Sequence, residues 1–280
     1  DDDDDGTLDT EEQGDGEIRE FTEIVNQFYE NNDFIQPSKI EIVDNDGTKL
    51  GTNLYYPYDV IDSSSLPGIV LNTTEINAIH LLSQSNRIKK PIQIDEFKLN
   101  NTVEYKTSSR RDLFKTSSGL TVQSKIKSSK ENDDLEDVVI FHSFDNYGNL
   151  LEASKADGTH LVYIWGYNQS KPIAKIENAT YAQVSSMVAN LQTKSNADDD
   201  HCSLPTCKEE ILRVALNTLR ASLPNALVST YTYDPLIGVT SVTDPRGDTL
   251  YYTYDDFQRL KFIKDTSGHI ISEHITNIKN

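Results

Sequence analysis

Tyr231-Thr-Tyr-Asp234 and Tyr252-Thr-Tyr-Asp255 are the segments on which the fold turns, because each opens a copy of the same longer unit. In register, Tyr233 falls on Tyr254, Thr232 on Thr253, Asp234 on Asp255, Asp244 on Asp265 and Gly247 on Gly268, always 21 residues apart. A weaker copy begins at Phe144-Asp145-Asn-Tyr-Gly148. In it Gly158 follows Asp145 by 13 residues, as Gly247 follows Asp234 and Gly268 follows Asp255. One period beyond that copy, Trp165-Gly166 stands at the aromatic-Asp position. A fixed period signals one supersecondary unit used repeatedly. Here the unit reads as a strand ending in aromatic-Asp, a turn using Gly148 or Gly238, a second strand (239–243; 260–264) and an Asp/Gly turn. The Asp accepts backbone N–H groups and the Gly supplies positive φ. One hairpin cannot cover its own apolar face, so the units must stack into an extended, curling sheet.

Outward from the repeats the same character continues. Residues 39–43 and 52–56 are β-branched and aromatic, and Asp44-Asn-Asp-Gly47 between them suits a tight turn, so they predict a hairpin. Segments 92–99, 103–107, 120–126 and 138–144 read as further strands separated by Ser/Lys/Asn/Asp loops, with a helix over 74–84 carrying Ile76, Ile79 and Leu82. Residues 178–223 interrupt the strands with two apolar stripes, Tyr181/Val184/Val188/Leu191 and Ile211/Leu212/Ala215/Leu216/Leu219, a helical hairpin that needs a sheet to cover. Thr206-Cys-Lys-Glu209 fits a capping box at the start of its second helix. Near the N-terminus, Ile18, Phe21, Ile24, Val25 and Phe28 recur at helical spacing, predicting a short amphipathic helix from Glu17 to Glu30. The expected fold class is mainly β: stacked antiparallel hairpins, an inserted helical hairpin and a short N-terminal helix. The expected divisions are 1–16, 17–36, 37–177, 178–223 and 224–280.

These motifs resemble a known family. Tyr252-Thr-Tyr-Asp-Asp-Phe-Gln-Arg259-Leu260 with Asp244-Pro-Arg-Gly247 is similar to the YD repeats of RHS-type proteins, whose pattern is close to YDxxGRLxxxxDxxG. Residues 163–167, 172–178 and 222–226 resemble the subset found in large surface or secreted proteins of Bacteroidetes, in which a helical insertion also separates YD units. The likeness spans about residues 37–280, most strongly from Phe141. Two departures stand out: Gln258 where the motif has Gly, and an end, 273–279, without the next aromatic-Asp. The resemblance implies a bacterial extracellular or cell-surface sheet that winds into a shell. Some relatives enclose a C-terminal toxin released by an aspartyl self-cleaving core; neither that core nor a toxin domain is present in this sequence. It also implies the remainder of the parent polypeptide as partner.

The 280 residues carry 26 Lys+Arg against 45 Asp+Glu, a formal charge of -19, which argues against nucleic acid or an anionic membrane as partner. Residues 1–33 hold fourteen acids and one base, or -13, leaving -6 for the rest. No apolar run is long enough to span a membrane. The chain opens on Asp, and its one methionine is Met187, which predicts a processed product or an excerpt of a longer protein. Asp1, Asp3, Asp5, Thr7, Asp9 and Glu12, with Gly6 for the sharp turn, fill the 1-3-5-7-9-12 ligand positions of a calcium loop. This run resembles EF-hand loops and, more closely, thrombospondin type 3-like repeats; a plain acidic, solvated terminus is the alternative. Cys202 and Cys207 would close a small loop disulfide in an oxidising compartment or stay as two thiols. The histidines show no HxH or HExxH spacing, and there is no GxSxG elbow or phosphate-binding loop. His142, alternating with phenylalanines, is expected to be a satisfied strand residue. Asp255 and Asp256, as neighbours on a strand, would face opposite ways. The chain is therefore expected not to be an enzyme. The aromatics Tyr163, Trp165, Tyr167, Tyr231, Tyr233, Tyr251, Tyr252 and Tyr254 fit cross-strand ladders first and a glycan-binding or adhesive surface second.

Overall fold

A computed structural model describes residues 24–31, 33–44, 47–60, 65–100, 103–199 and 204–274. Fifteen strands form one antiparallel sheet whose order follows the chain: β1 (Ile24–Phe28), β2 (Lys39–Val43), β3 (Lys49–Tyr55), β6 (Gln93–Asn100), β7 (Val103–Ser117), β8 (Leu120–Lys130), β9 (Glu136–Phe144), β10 (Leu150–Lys155), β11 (His160–Gly166), β12 (Lys171–Glu177), β13 (Leu227–Asp234), β14 (Gly238–Thr243), β15 (Thr249–Tyr254), β16 (Leu260–Lys264) and β17 (Ile270–Glu273). Between β3 and β6 lie a 3-10 turn (Pro57–Val60), the two-stranded β4 (Ser65–Leu66) and β5 (Ile69–Val70), and helix α1 (Thr73–Gln84). Helices α2 (Tyr181–Ala197) and α3 (Lys208–Ala221) fill the gap between β12 and β13. The mainly β architecture of stacked hairpins with an inserted helical hairpin is as the repeats predict.

Two cores hold helices to the sheet. Val162, Ile164, Ile173, Ala174, Ile176 and Val228 of β11–β13 meet Val184, Val188, Leu191, Leu212, Leu216 and Leu219 of α2 and α3. The second core joins Ala78, Ile79 and Leu82 of α1 to Val60, Ile92, Leu113 and Phe114. Burying each Val, Leu, Ile or Phe among them stabilises by roughly 1.5–3 kcal/mol. α1 starts at a capping box, in which the Asn72 side chain accepts from Glu75 N (3.0 Å) and Glu75 accepts from Asn72 N (3.1 Å).

Three local expectations need correction. Residues 24–28, predicted as the end of a helix, form β1, paired from Ile24↔Val43 to Phe28↔Lys39; the earlier part of that segment lies outside the described residues. The helical spacing had no surface to bury, since Ile24 and Val25 stay about half exposed. The edge of β2 instead offered hydrogen bonds to β-branched residues, which suit a strand. Second, the polar run 108–112, expected as part of a loop, lies inside the fifteen-residue β7. Its polarity is internally satisfied. Arg111, 1% exposed, donates to Gln93 Oε1 (2.7 Å) and to the Pro67 carbonyl (2.7 Å), while Ser109 Oγ donates to Asp95 (2.5 Å). Third, α3 is capped at Cys207, so Thr206 and Glu209 form no capping box. The reason lies in Glu209, whose carboxylate is turned down onto the sheet.

Candidate functional site: the repeat turn

The repeated Asp residues build one turn over and over. In 145–149, 244–248, 255–259 and 265–269 the Asp N–H donates to the carbonyl four residues on, and the Asp carbonyl accepts from the N–H three residues on. Asp145 Oδ1 accepts from the N–H groups of Tyr147 and Asn149 (both 2.9 Å), Asp255 Oδ1 from Phe257 and Arg259 (both 2.9 Å), and Asp265 Oδ1 from Ser267 (2.8 Å) and His269 (2.9 Å). Asp244 Oδ1 takes three, from Arg246, Gly247 and Asp248. The second oxygen goes to the side chain four residues on: Asn149 Nδ2 to Asp145 (2.9 Å), Arg259 Nε to Asp255 (2.9 Å) and His269 Nδ1 to Asp265 (3.3 Å). In these three turns the carboxylate is thus consumed by its own loop, and the motif's Arg acts as a clasp. The Arg259 contact, followed by the N–H donors, holds the Asp255 carboxyl below the usual carboxylate range. At Asp265, partial desolvation pushes the other way, but the donors of His269 and Ser267 outweigh it and the net shift is downward.

The left-handed position of this turn is filled by Gly148 (φ 84°), Gly247 (φ 98°) and Gly268 (φ 82°), and by Gln258 (φ 62°) where the sequence departs from the motif. Gly158 (φ 82°) holds the corresponding place in a turn opened by Lys155. Asp255 and Asp256 therefore belong to a turn and not to the strand that sequence reading gave them.

The repeat aromatics do a second job. Each stands just after a register shift in its strand, between Ile164/Trp165, Thr232/Tyr233 and Thr253/Tyr254. Its polar tip then donates to a carbonyl of the preceding strand: Trp165 Nε1 to Leu150 (2.8 Å), Tyr233 Oη to Pro172 (3.0 Å) and Tyr254 Oη to Val239 (2.9 Å). Gly238 is a consequence, since a Cβ there would lie 2.5 Å from the Tyr254 hydroxyl. Burial pushes the Tyr233 phenol up to about 12. The expected aromatic ladder is thus replaced by ring-to-backbone stapling. Among the described residues, the ring contact between repeat tyrosines is the edge-on pair Tyr167–Tyr233 (5.6 Å).

Where Gly166 replaces the Asp, α2 takes over the turn. A Cβ on Gly166 would meet Ser195 Oγ at 2.3 Å. Tyr167, Asn168 and Gln169 all have positive φ, and the C-terminal end of α2 and the residues after it hold them: Tyr167 N donates to Ser195 Oγ (3.2 Å), Asn168 N to Asn196 Oδ1 (2.6 Å) and the Tyr167 hydroxyl to Asp198 (2.6 Å). Across the loop that joins the two helices, at the start of α3, the buried Glu209 carboxylate accepts from Thr232 Oγ1 (2.8 Å) and Thr240 Oγ1 and pairs with Arg213 (2.7 Å). Arg213 in turn lies over the Tyr251 ring (5.3 Å). Sequence reading missed this cluster; Glu209, four residues before Arg213 on an otherwise apolar stripe, was its only trace.

His142 is satisfied by Ser154 Oγ (2.8 Å) and stacks on His160, itself bound to Glu152 (2.7 Å). Cys207 is disulfide-bonded, while Cys202, the chain's other cysteine, lies outside the described residues. So do Asp1, Asp3, Asp5, Thr7, Asp9 and Glu12 of the calcium-loop pattern. Among the described residues no cluster of three His, Cys, Asp or Glu could hold a metal, and no helix is long and apolar enough to cross a membrane.

No protein-family model matches the chain, and no curated protein matches it in sequence. Among solved structures it is similar to the Photorhabdus luminescens Tc holotoxin pore (10% identity, TM-score 0.34, 81% of this chain and 11% of that one). It is also similar to the TcdB2–TccC3 complex (11% identity, TM-score 0.38, 86% and 11%) and to TcdB2–TccC3–Cdc42 (11% identity, TM-score 0.37, 81% and 9%). The chain spans about a tenth of the length of those chains.

Proposed function

We propose that the chain is a scaffold segment of a large secreted or cell-surface YD-repeat protein, part of a shell formed with the rest of its parent polypeptide and of the kind that carries a toxin. The observation that carries this reading is where the repeated side chains spend their polar atoms. The carboxylates of Asp145, Asp255 and Asp265 close their own turns, and Trp165, Tyr233 and Tyr254 staple adjacent strands. Residues repeated to hold strands together serve architecture, so the reading is non-catalytic. A disulfide at Cys207 suits an oxidising compartment. A glycan array with the whole chain tests the reading: a scaffold gives no saturable binding. Saturable binding that disappears on Tyr252→Ala would instead establish the adhesive alternative.

The same reading gives Asp1, Asp3, Asp5, Thr7, Asp9 and Glu12 a calcium ion, because carboxylates at alternate positions around a glycine supply the six to eight oxygens calcium takes. Calorimetric titration of the full chain is expected to show a calcium event that Asp5→Ala removes. No heat at millimolar calcium leaves residues 1–16 as a plain acidic segment.

A further inference from the structure

Charge is distributed along this chain in a way the net value hides. Residues 87–130 hold eleven bases (Arg87, Lys89 and Lys90 among them) against four acids, a local +7 in a chain of -19. Part of that excess gathers at one place, where the C-terminal end of α1 meets β6 and β7. There a small cavity of about 240 Å³ has an apolar floor that includes Leu82, Ile92 and Phe114, and Arg87, Lys89 and Lys90 at its mouth. Arg110 joins them through Asp112. That buried carboxylate takes Lys90 Nζ (2.9 Å), Arg110 Nε (3.1 Å) and Gln123 Nε2 (3.0 Å). Lys90 and Arg110 thus share one carboxylate, with Arg87 and Lys89 beside Lys90 at the cavity mouth, and all four remain open to solvent, with side-chain exposures of 68% at Lys90 and 51% at Arg110.

We infer that this basic patch is the docking surface for the chain's own acidic N-terminal segment, residues 1–16. The complementarity is direct: that segment carries nine acids and no base, opposite four cations with a single internal counter-charge. Its reach is sufficient. β1 and β7 are four strand steps apart, about 19 Å at the usual spacing, and the patch lies six to eight residues along β7 from the level of Ile24, a further ~20–27 Å. Asp1 to Asp5 precede Ile24 by 19 to 23 residues, which extend to roughly 65–80 Å. Exposed charges attract over a Debye length of about 8 Å at physiological salt, so the contact is salt-sensitive. It serves as a tether that folds the acidic segment back over the α1 end of the sheet.

Zero-length carbodiimide crosslinking of the full chain, freed of calcium on a chelating resin and read by mass spectrometry, tests this independently of calcium. The expected linkages join carboxylates of residues 1–15 to Lys89 and Lys90. They should vanish at 0.5 M NaCl and fall roughly fivefold or more in Arg87→Gln/Arg110→Gln, the loss expected from two exposed charge pairs. That variant removes charge but no reactive amine. The Lys125–Asp137 pair, at 2.6 Å, is the internal control and should crosslink equally in both proteins, reporting an intact sheet. Linkages spread over lysines at large, linkages indifferent to the arginine substitutions, or linkages found only between isotopically mixed chains would each overturn the inference.

Discussion

β11 to β13 and β15 to β17 both carry the repeat's hairpins, yet only the first group lies under helices. Val162, Ile164, Ile176 and Val228 are wholly buried beneath α2 and α3, whereas among the described residues no buried side chain lies beyond Thr243. The aromatic staple is present in both groups, while the Asp turn closes the hairpins of the second and gives way between β11 and β12 to the Gly166 turn held by α2. The repeat unit therefore specifies strand pairing and register by itself, but the burial that dominates stability is supplied by the insertion. The helices are fixed to the repeats at the loop end of the hairpin, where α2 finishes and α3 begins, by the Tyr167–Asp198 contact and by Glu209 on Thr232 and Thr240.

The sharpest way to break the contrast is to cut equal volume from each region. Leu216→Ala, under the sheet at 1% exposure, is expected to cost about 2–5 kcal/mol. Ile263→Ala, on the half-buried β16, should cost less than half as much. Urea unfolding of the two variants checks this, and equal midpoints would mean that the helices add nothing to the sheet.

A second, smaller effect separates the regions by pH. The carboxyls of Asp255 and Asp265 are held below their ordinary range in the folded chain, the first chiefly by Arg259, the second by backbone donors acting against desolvation. A depressed folded value stabilises the fold above the unfolded value of about 3.9, and that contribution is lost as pH falls through the folded value. Below about pH 4, then, the terminal strands should loosen while those under α2 and α3 hold. Amide exchange corrected for intrinsic rates should show this at residues 249–273, with most of the pH dependence gone in Asp255→Asn. Equal protection at pH 6 and pH 3 would show that the turns contribute nothing through ionisation.

The same contrast marks what the sequence made legible. Period, turn and strand order were readable because Tyr, Asp and Gly recur at fixed offsets, and the helical insertion because its apolar stripes are long. The polar interiors were hidden, as one-dimensional patterns treat Ser-Ser-Arg-Arg-Asp112 as a loop when it is a strand whose charge is matched by Gln93 and Asp95, eighteen and sixteen residues before Arg111. Glu209 misled for a related reason: its offset from Thr206 fitted a cap, while its partners, Thr232 and Thr240, lie more than twenty residues away. At Ile24–Phe28 the spacing was helical, but the deciding factor was an open strand edge at β2, which no local pattern contains.

The smallest expected effect isolates the turn from all packing. Gln258 and Gly268 occupy the same left-handed position in successive turns of the bare repeat, at φ 62° and 82°, and a Cβ at Gly268 would have nothing within 4 Å. Exchanging residues between them therefore changes backbone preference and little else. A non-glycine residue in this region costs about 1–2 kcal/mol, and glycine gives back about 0.4–1 through the greater freedom of the unfolded chain. Gln258→Gly should therefore stabilise by about 0.5–1 kcal/mol, a rise of roughly 1–4 °C in Tm for a domain of this size. Gly268→Gln should lower Tm by a similar amount, and the double exchange should return it to the starting value, as distant and independent sites add. If both single variants are neutral, the turn is held by Asp255 and Asp265 alone, and the motif's glycine would then serve space instead of φ, as Gly238 does for Tyr254.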